Sequence, residues 1–340
     1  MTQDLIFSVE NRLGLITLNR PQALNALTHE MILALSSQLN DWALNDNISA
    51  VIIRACEGRA FCAGGDVRSL YDLGRESLEA PLQFFKDEYQ LNHLIAHYPK
   101  PYLAFVHGFT FGGGVGISLH SPYTIASEDF VFAMPETSIG FFPDIGASHM
   151  LTRCGTYGIY LGLTGARLHA KEALALKLIR AIIPHTAFDD LIHTFSTLDL
   201  SQNAAQQIDD YIKKHTIISE TKLEHADEIE TCFNASSIEQ IELKLQSKNT
   251  PWANEVLAQL KQKSPVSLAV TLEQLTRAKT CTLDECLMMD YTLAYHFMQH
   301  HDFFEGVRAL LVDKDKQPRW SDLHDTEHVL AYFNSPEHAK

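Results

Sequence analysis

Met134-Pro135-Glu136-Thr137-Ser138-Ile139-Gly140-Phe141-Phe142-Pro143-Asp144 is an apolar, turn-rich run carrying two carboxylates eight residues apart. A carboxylate set among Met, Pro, Ile and Phe loses water. Desolvation disfavours its charged form and moves its pKa toward neutrality, which is the condition under which carboxylates act as acid, base or nucleophile. Read alone, the stretch also fits a plainer structure, a proline-started turn with solvated acids and Asp144 capping a helix that begins near Ile145.

Working back toward the N-terminus, two glycine-rich segments weigh on that choice. Ala60-Phe61-Cys62-Ala63-Gly64-Gly65-Asp66 follows the strand-like run Val51–Ala55, and Asp66 suits the N-cap of a following helix. Gly108-Phe109-Thr110-Phe111-Gly112-Gly113-Gly114-Val115-Gly116 follows the apolar strand Tyr102–Val106. In both, a strand runs through glycines into a helix start, where backbone N–H groups lack intrahelical partners. Two such turns on neighbouring strands can aim two N–H groups at one oxygen, as in an oxyanion hole. Singly, each is more often a device for close strand–helix packing. Neither has the register of G-x-G-x-x-G, and the chain holds no G-x-x-x-x-G-K-[ST] and no G-x-S-x-G, so dinucleotide, P-loop and nucleophile-elbow readings fail.

Taken in order, these segments resemble the crotonase (enoyl-CoA hydratase/isomerase) superfamily, and within it the 3-hydroxyisobutyryl-CoA hydrolase branch. The resemblance begins at Asn19-Arg20-Pro21-Gln22-Ala23-Leu24-Asn25-Ala26-Leu27 and takes in Asp87-Glu88-Tyr89-Gln90-Leu91-Asn92 and the whole Pro135 to Gly146 turn. It continues to Asp302-Phe303-Phe304-Glu305-Gly306-Val307-Arg308 and Asp313-Lys314-Asp315, and is weakest between about residues 186 and 249. Phe-Pro-Asp after Pro-Glu-Thr is what sets the hydrolase branch apart.

The resemblance implies an α/β fold, a spiral core of ββα turns with a helical C-terminal region, divided as residues 1–185 and 186–340. It also implies that the N–H groups of Gly65 and Gly113 form an oxyanion hole around a thioester oxygen. Glu136 would be nucleophile or general base, and Asp144 would assist or bind a substrate hydroxyl. Glu88 would lie in the substrate pocket, although one charge on an amphipathic helix of about 81–97 explains it too. Hydratases of this kind carry a second catalytic Glu where this chain has Gly116. Adding water to a double bond is thereby disfavoured, and hydrolysis of a short 3-hydroxyacyl-CoA is the expected reaction. Hydration or isomerisation, and a non-catalytic acyl-CoA-binding protein, are the alternatives. Coenzyme A enters as part of the substrate, with no separate cofactor.

Composition narrows the remaining classes. The 340 residues are long enough for one large or two ordinary domains, and no apolar run approaches the length of a membrane span. With 27 basic against 42 acidic residues the net charge is −15, which argues against nucleic acid or an anionic membrane as partner. A CoA ester would need basic side chains locally, for which Arg20, Arg54 and Arg68 are candidates beside ordinary surface roles. Six scattered cysteines and an N-terminus without a basic or apolar leader pattern point to reduced thiols and the cytoplasm. His93 and His97 share a helix face, and His296, His300 and His301 offer similar spacing, but no third ligand can be assigned from the sequence, so no metal is expected. Oligomeric state stays open.

Periodicity places a hairpin over Leu5–Val9 and Leu13–Leu18, turning at Asn11-Arg12. A helix over Leu27–Leu44 has Thr28 as N-cap, and short strands follow at Tyr123–Ala126 and Phe130–Phe132. Beyond about Ala170 strand signals fade. Amphipathic helices are expected over 204–216, 221–231, 237–246, 253–263, 266–279 and 283–299, lidding the core. The polar end from Asn334 to Lys340 is expected to fray.

Overall fold

The computed structural model describes residues 4–200, 202–216 and 221–335, so most of the polar C-terminal end lies outside the described residues. Among the described residues ten strands are present: β1 Leu5–Glu10, β2 Leu13–Leu18, β3 Ala50–Ala55, β4 Ala60–Cys62, β5 Tyr102–Val106, β6 Phe109–Phe111, β7 Tyr123–Ala126, β8 Val131–Ala133, β9 Leu168–His169 and β10 Ala181–Ile182. They form a six-stranded sheet in the order β1-β2-β3-β5-β7-β10 and a four-stranded sheet in the order β4-β6-β8-β9. Only the β1–β2 hairpin is antiparallel in the larger sheet; from β2 onward its strands run parallel. The hairpin turns at Asn11, whose φ of 55° suits a residue that tolerates the left-handed region.

Two compact units emerge. The first comprises Met1–Gly65, Gln90–Phe132 and Arg167–Leu223; the second comprises Asp66–Tyr89, Ala133–Ala166 and Glu224–Lys340. They interleave along the chain, and neither begins nor ends at the 185/186 division. The reason lies in burial. Helices Phe188–Thr197 and Ala204–His215 direct Phe188, Leu191, Ile192, Phe195, Ile208 and Ile212 into the same core as Leu15, Ile52, Phe105 and Ile125 of the large sheet. A sheet face left bare would expose that apolar row to water, so the first unit keeps these helices.

The parallel crossover from β2 to β3 is supported locally. Thr28 caps helix His29–Leu44 by accepting from the Met31 N–H, and the helix buries Met31, Ile32, Leu35, Leu39 and Trp42. The second unit is mostly helical. Its helices include Ala226–Phe233, which starts five residues later than the predicted 221–231, and Ile238–Lys248, Pro251–Leu260, Pro265–Ala278 and Leu283–Phe297, close to the spans their periodicity predicts. Prolines open two of them at N1, where a missing N–H costs no intrahelical bond. Helices Ala147–Thr152 and Thr156–Thr164 approach closely because Gly158 has no side chain: a Cβ there would meet the Leu151 carbonyl oxygen at 1.8 Å.

Candidate active site

The Pro-Glu stretch folds as a single 3-10 turn, Glu136–Ile139, with Pro135 before it and Gly140 after it at φ 68°. Gly140 is required twice over, since a Cβ would also sit 2.2 Å from the Asp302 carbonyl oxygen. The turn is fastened by Thr137, whose hydroxyl donates to Leu163 O at 3.1 Å, and by the Phe141 N–H donating to Glu136 O at 3.1 Å. Behind it the aromatic residues form a dry wall. Phe141 stacks on Phe85 at 5.3 Å between ring centres and meets Phe297 and Phe303 edge-on, while Phe142 also packs on Phe297. This wall keeps water from the acids.

Glu136, Asp144 and Glu88 are all buried, at 8%, 6% and 2% exposure. The plain reading of Asp144 as a helix cap does not hold. Helix Ala147–Thr152 starts from Gly146 without a side-chain cap, and Asp144 instead accepts the Tyr89 hydroxyl on Oδ2 at 2.8 Å. Burial is the largest influence on each acid. It raises Glu136 well above its ordinary pKa, helped by the Asp144 charge and opposed by a backbone N–H and by Lys263. Asp144 is pushed up to about 7 by burial, with the Tyr89 hydrogen bond pulling the other way. Glu88 is likewise raised by burial, then by Asp144 and Glu136. Burial and mutual repulsion thus favour the protonated forms of these acids over all three being ionised. Among the described residues Glu136 Oε2 and Glu88 Oε1 have no hydrogen-bond partner, leaving lone pairs for a reacting group.

Two further members of this cluster escape a reading of the sequence. Tyr89 lies beside Glu88 in the matched motif, yet its hydroxyl looks like one more helix residue until Asp144 is placed next to it. Lys263 is almost fully buried; its ammonium donates to Ser138 Oγ at 2.7 Å, and its pKa is lowered to about 8, burial outweighing the attraction of Glu136.

The glycine segments belong to the first unit. β4 and β6 pair in parallel, so the turns that follow them are neighbours. Gly64 has φ 112°, Gly112 has φ 45°, and a Cβ on Gly64 would lie 3.9 Å from the Gly113 nitrogen. Gly114 rests on the end of β4, where a Cβ would come within 2.3 Å of Cys62 O. The Leu27 N–H donates to Gly64 O at 2.9 Å, fixing the first turn from the other side. Among the described residues neither the Gly65 nor the Gly113 N–H donates to a backbone carbonyl. The helix after the second turn is a single short turn, Gly113–Gly116, in keeping with the low helix propensity of glycine. Gly116 is buried, with no acid in its place.

The remaining candidates are occupied elsewhere. Arg20 faces Asp4 at 3.8 Å, Arg54 pairs with Asp189, and Arg68 meets Asp72 at 3.3 Å, so each has a carboxylate beside it. His93 and His97 pack against each other with ring centres 4.3 Å apart and planes tilted by 34°. His296 and His300 contact the backbone carbonyls of Asn334 and His296, at 2.8 and 2.6 Å. Asp66 caps helix Val67–Gly74 by accepting from the Ser69 N–H. The C-terminal motif is a structural knot: Arg308 grips Glu305 through two bonds of 2.8 and 2.9 Å and also reaches Asp313 and Asp315. Asp302 accepts from Ser264 and from the Ser321 N–H.

Comparison with known proteins bears on the family of the chain. The family model described as enoyl-CoA hydratase/isomerase matches residues 13–331. The chain is 38% identical to the mitochondrial 3-hydroxyisobutyryl-CoA hydrolase of Rattus norvegicus, over 98% of this chain and 89% of the relative. It is 40% identical to the protein of that name from Xenopus laevis, over 95% of this chain and 85% of the relative. Among solved structures, a carnitinyl-CoA dehydratase from Mycobacterium thermoresistibile superposes with a TM-score of 0.91 at 31% identity, covering 99% of this chain and 98% of that one. An enoyl-CoA hydratase from Rhodobacter sphaeroides gives 0.87 at 35% identity, covering 98% of both chains. Two glycine turns, a buried Pro-Glu turn and these end-to-end matches place the chain in the enoyl-CoA hydratase/isomerase family.

Proposed function

We propose that this protein hydrolyses short 3-hydroxyacyl-CoA thioesters, foremost 3-hydroxyisobutyryl-CoA, giving 3-hydroxyisobutyrate and coenzyme A, a step of valine breakdown. The observation that carries this reading is the pair of desolvated acids, Glu136 and Asp144, in a chain that has Gly116 where hydratases keep a second catalytic Glu. One carboxylate of the hydration pair is missing, and a differently placed one is present.

The roles follow from charge. Attack on a thioester carbonyl puts negative charge on its oxygen, and the Gly65 and Gly113 N–H groups are the proposed donors to that oxyanion. Glu136 supplies the attack, either directly or by taking a proton from water; in both cases the carbon–sulfur bond breaks, the thiolate leaves as coenzyme A and one water is consumed. Asp144 takes the 3-hydroxyl of the acyl group, and Glu88 lines the acyl pocket. No separate cofactor is needed for this chemistry. The six cysteines are all free thiols, in keeping with a reducing compartment, and we place this chain in the cytoplasm, although the named relatives are mitochondrial.

Free thiol released from 3-hydroxyisobutyryl-CoA, isobutyryl-CoA and crotonyl-CoA tests the reading. Thiol release fastest from the hydroxylated ester is expected. Hydration of crotonyl-CoA without thiol release would make the protein a hydratase instead, and binding without turnover would make it an acyl-CoA carrier.

A further inference from the structure

The segment bearing Asp144 is held in a conformation its own residues disfavour. Ile145 has φ 55° and Gly146 φ 73°. The left-handed region is rare for a β-branched residue, and such backbone persists only where surrounding contacts over-determine it. Those contacts come from two helices more than a hundred residues further along the chain. On helix Pro265–Ala278, Gln274 donates from Nε2 to Pro143 O at 2.9 Å and to Asp290 Oδ1 at 2.8 Å. On helix Leu283–Phe297, Asp290 accepts the Gly146 N–H on Oδ2 at 2.7 Å. The residue before Asp144 and the second residue after it are therefore both gripped, and the two gripping side chains share a hydrogen bond.

Both side chains are fully buried, at 0% exposure. The amide of Gln274 has one workable orientation, because flipping it would set Oε1 against two acceptors, Pro143 O and Asp290 Oδ1. Asp290 has no ion-pair partner among the described residues, and the charge of Asp144 acts on it unfavourably. A core that needed only volume would place an apolar residue here, since a buried acid without a cation is costly.

We propose that Asp290, together with Gln274, is a positioning residue for Asp144 and sets the preference for hydroxylated acyl groups, an inference that rests on Asp144 holding the substrate hydroxyl. A carboxylate that must meet one hydroxyl has to be held to a fraction of an ångström, whereas a plain acyl chain makes no demand on it. The two buried side chains act through the backbone of residues 143–146 and touch no substrate.

The test compares kcat and KM for 3-hydroxyisobutyryl-CoA and isobutyryl-CoA in the wild type, Asp290→Asn and Gln274→Leu, with thermal melting to confirm folding. Asp290→Asn keeps an acceptor for Gly146 but loses one for Gln274; Gln274→Leu releases Pro143 while keeping Asp290. The expected result is a fall of about tenfold or more in the hydroxylated-to-plain ratio of kcat/KM, with the plain ester changed less than about threefold. Equal losses on both esters, or an unchanged ratio in folded variants, would overturn the proposal while leaving the role of Asp144 intact. A wild type that cleaves both esters equally well would overturn the hydroxyl role of Asp144 and this inference with it.

Discussion

Tyr89 donates its hydroxyl to Asp144 Oδ2 at 2.8 Å within the buried cluster that also holds Glu88 and Glu136. This bond is the largest influence offsetting burial on Asp144, favouring its ionised form. Tyr89→Phe should therefore move the Asp144 pKa further above about 7. A hydrogen bond to a charged group is worth about 1.5–3 kcal/mol, so the rising limb of kcat/KM against pH should shift upward by about one to two units. An unchanged profile would separate Tyr89 from the titrating acid.

Glu136→Gln should lower kcat by about 10²–10⁴-fold, the usual contribution of a positioned acid–base group, with CoA-ester binding largely retained. Gln keeps the shape and removes the charge. Near-normal turnover would take Glu136 out of the reaction.

The same substitution should stabilise the fold at alkaline pH. Glu136 and Glu88 sit well above their ordinary pKa values and Asp144 near 7, so the folded chain binds more protons than the unfolded chain between the ordinary carboxylate range and those raised values. Stability contributed by these acids is greatest at low pH and is lost as pH rises through that window. Glu136→Gln removes one of the offending charges. Melting at pH 5 and pH 8 should show a gain at the higher pH of about one to two degrees, corresponding to about 1 kcal/mol. A loss at pH 8 would contradict the desolvation account.

Asp144→Asn should change both substrate choice and pH dependence. Without its charge Glu136 loses its second-largest upward push, so the rising limb attributable to Glu136 moves to lower pH. Asp144→Ala should narrow the preference for 3-hydroxyisobutyryl-CoA over isobutyryl-CoA by at least about tenfold, because a polar group left unpaired by the plain ester is gone. Equal kcat/KM for the two esters in the wild type would defeat the hydroxyl role.

Gly113→Val tests the other half of the chemistry. Loss of one oxyanion donor costs about 10²–10³ in rate. Full activity in a folded Gly113→Val protein would leave the glycine run as a packing device, the role that the close approach of Gly114 to Cys62 shows for its neighbour.

Local signals in the chain were enough for much of this protein. Alternation and a left-handed Asn11 make the first hairpin, Thr28 starts the first long helix, and prolines and amphipathic periods mark the C-terminal helices. The two glycine turns and the Pro-Glu-Thr…Phe-Pro-Asp stretch are also local, because a tight turn demands particular residue types at consecutive positions. Local reading left a cap role open to Asp144, which depends on where Tyr89 stands, and drew a division at residue 185 that takes no account of the apolar face covered by helices up to His215. It could not find Asp290 or Gln274, which lie 146 and 130 residues beyond Asp144 (290 − 144 and 274 − 144) and look in sequence like ordinary polar positions on amphipathic helices. Residue types and turns were set by the sequence itself; which acids lose water, which donors meet them, and so which of them titrate near neutrality were decided only in the tertiary structure. The physical reason is that desolvation and buried hydrogen bonds depend on every segment packed around a group, however distant in the chain.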